Sequence, residues 1–340
     1  MTERILENNR KNTIKNDINN NRKNDTNNNR KNDTNNDRKV VEKMDWTNCH
    51  LCPRECGADR TRGKGACKVG NTITAARAAL HMWEEPCLSG EEGSGAVFFS
   101  GCNLGCVYCQ NREIALGHSG KVITEERLCE IYMELQEKRA NNINLVTAGH
   151  YLPIVIDSIK HARKQGLTIP IVYNSSGYEK VEAIQALDGV VDIFLPDFKY
   201  INKETAAKYS NAPDYPEVAK RALAQMVKQT GKAQFDDREM MTRGVIVRHL
   251  ILPDHIEESK ETIHYLYETY GNQIYISIMN QYTPMLGIEK RFPELGRTIT
   301  QKEYDKVVDY AIDLGVENGF IQEGETAKDS FIPQFDNTGV

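Results

Sequence analysis

Three cysteines stand close together as Cys102-x3-Cys106-x2-Cys109, within Phe98-Phe99-Ser100-Gly101-Cys102-Asn103-Leu104-Gly105-Cys106-Val107-Tyr108-Cys109-Gln110-Asn111. Thiolates on so short a glycine-containing loop can all face one centre. Iron–sulfur clusters are held by cysteine thiolates, usually four. Three would leave one iron of a [4Fe–4S] cube without a protein ligand, and an open position is what a catalytic metal site needs. A structural zinc knuckle, or three unrelated core thiols, is the plainer reading of the same residues. A second block, Cys49-x2-Cys52-Pro53-Arg54-x-Cys56 followed by Cys67, could close a tetrahedral zinc site or hold an auxiliary iron–sulfur cluster. The alternative is that these four are reduced structural thiols. His50 is a possible substitute ligand, though a lone histidine is more often just exposed.

The elements that would position the loop follow a strand–loop–helix rhythm. Apolar runs at Ala96–Phe99, Ile143–Thr147, Ile169–Tyr173, Val190–Leu195, Gly244–Leu252 and Ile274–Met279 read as six strands. Between them lie helical patterns. Thr124 is an N-cap candidate, with Glu125 and Glu126 in the first turn and Leu128, Ile131, Tyr132 and Leu135 on one face. Further helices are expected over Pro153–Gln165, Glu179–Leu187, 203–209, 215–229, Glu257–Tyr270 and Gln301–Leu314. Near-continuous apolar strands alternating with helices indicate an α/β fold, a parallel sheet covered by helices. In such a barrel the chemistry sits at the C-terminal ends of the strands. Polar residues collect there: the cysteine loop, Thr147-Ala148-Gly149-His150, Asn174-Ser175-Ser176, Asp197 with Lys199, Arg248-His249, and Asn280-Gln281-Tyr282. Asp197 and Lys199 share a strand face and could simply pair with each other. His249 could be a satisfied core histidine. Arg248 inside an apolar strand is harder to dismiss, because a buried charge needs a partner and a ligand carboxylate would suit a guanidinium. Tyr108 offers an aromatic face beside the thiols, or only packing. Cys129 reads as a packing thiol, and nothing in its surroundings makes Cys87 a ligand.

With 340 residues, 39% of them hydrophobic, the chain can build one large domain and a small appendage. Nine cysteines with metal-type spacings argue against a secreted disulfide scaffold and for a reducing cytoplasm. Neither a signal peptide nor an apolar run long enough to span a membrane is expected. Residues 1–45 carry 11 Lys+Arg against 8 Asp+Glu, and the remainder 32 against 40. The acidic body is a poor candidate for binding nucleic acid. The octapeptide Asn-Asn-Asn-Arg-Lys-Asn-Asp-Thr occurs at 19–26 and again at 27–34. So polar a repeat buries too little surface to offset chain entropy, and 1–45 is expected to be a disordered tail. The expected division is then a Cys-rich segment at 46–88, a core at 89–325 and a tail at 326–340.

The cysteine loop resembles the signature of the radical S-adenosylmethionine (radical SAM) superfamily. The Gly-rich entry from Ser89 through Asn111 resembles that of the glycyl-radical-enzyme activases. A wider set is similar to the iron–sulfur proteins homologous to pyruvate formate-lyase activating enzyme: Cys49-His-Leu-Cys-Pro-Arg-Glu-Cys56, Leu80-His81-x-Trp83-Glu84-Glu85-Pro86, Asn142–Thr147, Tyr173–Tyr178, Asp192–Tyr200 and Arg248-His249-Leu250. The resemblance implies a partial (βα)6 TIM-type barrel in which Cys102, Cys106 and Cys109 bind a [4Fe–4S] cluster with SAM on the open iron. It further implies a SAM site built from Tyr108, Thr147, Ala148, Gly149, Asn174, Ser175, Ser176, Asp197, Lys199 and Arg248. The implied activity is reductive cleavage of SAM to a 5′-deoxyadenosyl radical, with reduced flavodoxin or ferredoxin as electron donor and possibly a protein as substrate, as in an activase. Thr147-Ala148-Gly149-His150 replaces the activases' Gly-Gly-Glu type of segment, and Tyr282 stands near where they place a histidine. A reading from a different class is a non-catalytic iron–sulfur or zinc protein, an electron carrier or scaffold.

Overall fold

The computed structural model describes residues 45–322 and 333–340, together with the backbone of Arg4–Ile5. In chain order its elements begin with strands β1 (Arg4–Ile5) and β2 (Thr74–His81), helix α1 (Pro86–Ser89), strand β3 (Ser94–Phe99), helix α2 (Arg112–Ala115), strand β4 (Lys121–Val122) and helix α3 (Glu125–Glu137). Strand β5 (Ile143–Val146), helix α4 (Leu152–Lys164), strand β6 (Ile171–Ser175), helix α5 (Val181–Gln185), strand β7 (Ile193–Pro196) and helices α6 (Lys203–Ser210) and α7 (Tyr215–Thr230) follow. The chain continues through strands β8 (Gln234–Phe235) and β9 (Met241–Leu250), helix α8 (Ile256–Tyr270), strand β10 (Tyr275–Met279), helix α9 (Gln301–Leu314) and strand β11 (Gly319–Ile321).

The sheet order is β1-β11-β10-β9-β7-β6-β5-β3-β2-β4, with β8 beside β9. Along this order every pairing from β3 to β11 is parallel, while β8 pairs antiparallel with β9. The fold is therefore the partial (βα)6 barrel. Its six units are β3, β5, β6, β7, β9 and β10, and the three-residue β11 extends the parallel set by one strand. On the other flank β2 pairs antiparallel with β3. Strand β2 was not expected; its Ala75, Ala76, Ala78 and Ala79 give little β signal. The N-cap of α3 is as expected, the Thr124 side chain accepting from the Arg127 N–H.

Residue parity separates two apolar layers. Ile143, Leu145, Tyr173, Phe194, Val247 and Ile278 face the surrounding helices. Val172, Ile193, Leu195 and Ile246 face inward and meet Cys87 and Leu88 of α1. Helix α1 thus closes the base of the barrel. Asn142 Nδ2 donates to the Leu88 carbonyl at 2.8 Å and Asn141 Nδ2 to that of Ser89 at 2.7 Å, fixing it there. Cys129 packs under the helical layer, its thiol donating to the Ser158 carbonyl.

The Asn-rich tail expected over 1–45 lies outside the described residues, apart from Asp45 and β1, whose two residues pair antiparallel with β11. Of the C-terminal tail expected over 326–340, residues 333–340 run along β2: Asn337 N–H donates to the Ala76 carbonyl at 3.0 Å, and Ala78 N–H to that of Thr338 at 2.8 Å. Among the described residues no helix is long and apolar enough to cross a membrane.

Candidate active site

A cavity of about 240 Å³ opens at the C-terminal ends of the parallel strands. Cys102, Cys106 and Cys109 line it, with Tyr108, Thr147, Asn174, Ser175, Ser176, Asp197, Lys199 and Arg248. The parallel βα order brings these residues from five segments to one mouth. Of the expected SAM-site residues, only Ala148 and Gly149 do not line the cavity; they turn beneath it into a short 3-10 turn. Gly149 is held by a close approach, since a Cβ there would lie 2.7 Å from the Tyr173 hydroxyl. Thr147 has φ +61°, a left-handed conformation that is unusual for a β-branched residue and that collects at functional sites.

Among the described residues no three Cys, His, Asp or Glu side chains form a group that could hold a single metal ion. Burial pushes the Cys109 thiol up to about 12 and raises that of Cys102, with neighbouring thiols adding to both. Hydrogen bonds reach the sulfurs: Leu104 N–H donates to Cys102 Sγ at 3.4 Å, and Ser210 Oγ–H to Cys106 Sγ at 3.1 Å. Such bonds tune cluster potentials. Burial works against the Lys199 charge, but Asp197 and then Cys106 keep its pKa above the ordinary lysine value. Its ammonium bonds Asp197 Oδ2 at 2.7 Å.

Arg248 meets three protein partners. Nε donates to Asp197 Oδ1 at 3.1 Å, Nη1 to Glu84 Oε2 at 3.1 Å and Nη2 to Asn174 Oδ1 at 2.7 Å. The carboxylates expected of a ligand are, in this structure, the chain's own. Glu84 also accepts from Asn144 Nδ2 at 2.9 Å. Burial raises the pKa of Glu84 despite Arg248, while Lys199 and Arg248 outweigh burial at Asp197 and lower its pKa. Glu85 lies deeper, with Oε2 buried and unpartnered. His249 is a core histidine: Nδ1 bonds the Phe198 carbonyl at 2.7 Å and Nε2 has no partner. Tyr282 borders the cavity and donates to the Leu295 carbonyl.

The sequence reading missed the contribution of the segment entering α1, where His81, Trp83 and Glu84 line the cavity. The available signal was the charged Glu84-Glu85 pair directly before Pro86. It also missed Arg54, which clamps the cysteine loop to the C-terminus of α6. Its Nε donates to the Asn103 carbonyl at 2.8 Å, Nη2 to those of Leu104 at 3.0 Å and Ser210 at 2.9 Å, and Nη1 to that of Asn211. Tyr108 is 4% exposed; its hydroxyl accepts from Tyr200 at 2.7 Å. In the second cysteine block Cys49 and Cys67 are buried and Cys56 is exposed, while His50 is exposed and offers only its carbonyl, to Lys180.

Comparison with known proteins agrees with this geometry. The radical SAM superfamily profile matches residues 96–266. A protein of Methanocaldococcus jannaschii described as uncharacterised is 30% identical over 277 residues, covering 80% of this chain and 76% of that one. The pyruvate formate-lyase-activating enzyme of Clostridium pasteurianum is 27% identical over 176 residues, 49% of this chain and 65% of that one. A putative glycyl-radical enzyme activating enzyme of Haemophilus influenzae is 30% identical over 119 residues, 33% of this chain and 43% of that one. The chain belongs to the radical SAM superfamily. Membership implies a [4Fe–4S] cluster and SAM, and three half-buried thiols lining one cavity beside Lys199, two of them hydrogen-bonded, fit that pair.

Proposed function

We propose that Cys102, Cys106 and Cys109 hold a [4Fe–4S] cluster in the cavity and that SAM lies against Tyr108, Thr147, Asn174, Ser175, Ser176, Asp197, Lys199 and Arg248. The observation that carries this reading is the lining of one strand-end cavity by the three loop thiols together with the Asp197–Lys199–Arg248 network. The chemistry supplied by the bound pair is one-electron reductive cleavage of SAM to methionine and a 5′-deoxyadenosyl radical. The chain's own residues prepare the site for it. Lys199 holds positive charge beside the thiolates, Ser210 donates to Cys106, and Asp197, Glu84 and Asn174 fix the Arg248 guanidinium so that the cavity wall is rigid before ligand arrives.

The chain acts as an activase-like oxidoreductase in the cytoplasm, taking its electron from reduced flavodoxin or ferredoxin and abstracting hydrogen from a protein substrate. The two activating-enzyme relatives support this finer reading. Cys49, Cys52, Cys56 and Cys67 take an auxiliary iron–sulfur cluster or zinc. Anaerobic reconstitution followed by dithionite and SAM is expected to yield 5′-deoxyadenosine, and the Cys102→Ala variant none. An intact cluster that yields no 5′-deoxyadenosine overturns the reading.

A further inference from the structure

The segment before β2 contains a buried cation with no carboxylate partner. Arg60 is 1% exposed. Its Nε donates to the Gly70 carbonyl at 3.1 Å and Nη2 bonds the same oxygen; Nη1 donates to the His150 carbonyl at 2.7 Å and lies 3.8 Å from Cys49 Sγ. Its guanidinium carbon stands 4.6 Å from the Trp46 ring centre and 5.9 Å from that of Tyr151. All these partners are neutral. Among the described residues no carboxylate pairs with Arg60, although a buried guanidinium is costly unless an anion offsets it. The groups beside it that can become anions are thiols: Cys49 in contact, with Cys56 and Cys67 packed around Gly65 together with the Arg60 side chain.

A Cβ built on Gly65 would lie 3.3 Å from Cys67 Sγ, 3.6 Å from Cys56 Sγ and 3.5 Å from Arg60 Cδ, so these two sulfurs and the arginine crowd one glycine. The Cys67 thiol donates to the Val69 carbonyl at 3.9 Å. A bridge between Cys49 and Ala58 closes the knuckle, the Cys49 N–H donating to the Ala58 carbonyl at 3.0 Å.

The structure assigns to Cys49, Cys52, Cys56 and Cys67 a thiolate-held metal centre whose negative charge is offset by buried Arg60. It deepens the auxiliary-site reading and is independent of SAM chemistry at the loop. Four thiolates carry four negative charges. A zinc ion or a [4Fe–4S]2+ core leaves two, and Arg60 removes one more without itself being a ligand.

The test uses the full chain carrying Cys102→Ala, Cys106→Ala and Cys109→Ala together, purified anaerobically, so that a failed loop cluster cannot obscure the result. Elemental and acid-labile sulfide analysis should find about one centre per chain, iron with sulfide marking a cluster and zinc without sulfide a mononuclear site. Either metal supports the centre; a folded chain with no thiolate-bound metal overturns it. In the same background Arg60→Gln should lose metal to a chelator at least tenfold faster, and Arg60→Lys, which keeps the charge, should recover most of the difference. If Arg60→Gln fails to fold, the Arg60→Lys chain alone is decisive: it should retain its metal, and loss equal to that of a Cys49→Ser chain overturns the counter-charge role.

Discussion

Removing the Arg248 guanidinium tests whether the cavity wall is held by charge. Its side chain is 16% exposed and that of Glu84 7%, with 3.1 Å between them. Arg248→Met keeps volume and removes charge. Asp197 still has Lys199 at 2.7 Å, but Glu84 is left with Asn144 alone. Stranding a buried charge by removing its partner costs roughly 3–5 kcal/mol. That is a large share of the roughly 5–15 kcal/mol that holds a typical domain together. Glu84→Gln keeps the amide bond from Asn144 and removes the stranded charge. The double variant should therefore be more stable than Arg248→Met alone, with a coupling energy of about 2 kcal/mol. Urea unfolding of the four chains gives this from the shift in midpoint at constant slope. The sign with pH is a second check. Burial already raises the pKa of Glu84 with Arg248 present, and without Arg248 it rises further. A raised carboxylate pKa means stability present at low pH and lost as pH climbs through that value. The deficit of Arg248→Met should be smaller in mildly acidic than in alkaline buffer. Coupling below about 0.5 kcal/mol, the level at which independent sites are additive, would refute a charge-held wall.

Arg54→Ala removes the clamp on four carbonyls. At about 1 kcal/mol for each of the three part-buried bonds, the exposed one to Asn211 left out, it should cost roughly 3 kcal/mol by thermal unfolding and broaden the EPR signal of the reduced cluster; an unchanged spectrum would show that the loop holds its own shape. Glu303 closes the capping box of α9 with Thr300, and Arg297 holds its pKa at about 2. A lowered carboxylate pKa gives stability present above the unfolded value and lost as pH falls through the folded one. Glu303→Gln should therefore cost about 1 kcal/mol at neutral pH, the gap to the parent closing in acid; a pH-independent difference would contradict the assignment.

What could be read from the chain alone was what is local or periodic. The cysteine spacing lies within one loop, and helix α9 keeps its expected bounds of Gln301–Leu314 because a capping residue and a glycine stop frame it. The strand-end residues were legible because parallel βα order gathers C-terminal ends whatever the side chains. What escaped were long-range pairings. Nothing near Glu84 says that it meets Arg248, and nothing near Arg54 announces the carbonyls of Asn103 or Ser210. Arg248 was marked as a buried charge in need of a carboxylate, but the sequence holds 48 acidic residues and gives no means of choosing among them. Helix α1 escaped because four residues are too few for a periodic signal.

That helix makes the barrel a cup. Cys87 and Leu88 pack across its floor against Val172, Ile193, Leu195 and Ile246, and the cavity lies at the strand ends away from them. The cysteine loop and Lys199 form part of the wall, so a molecule seated over them covers what lies beneath.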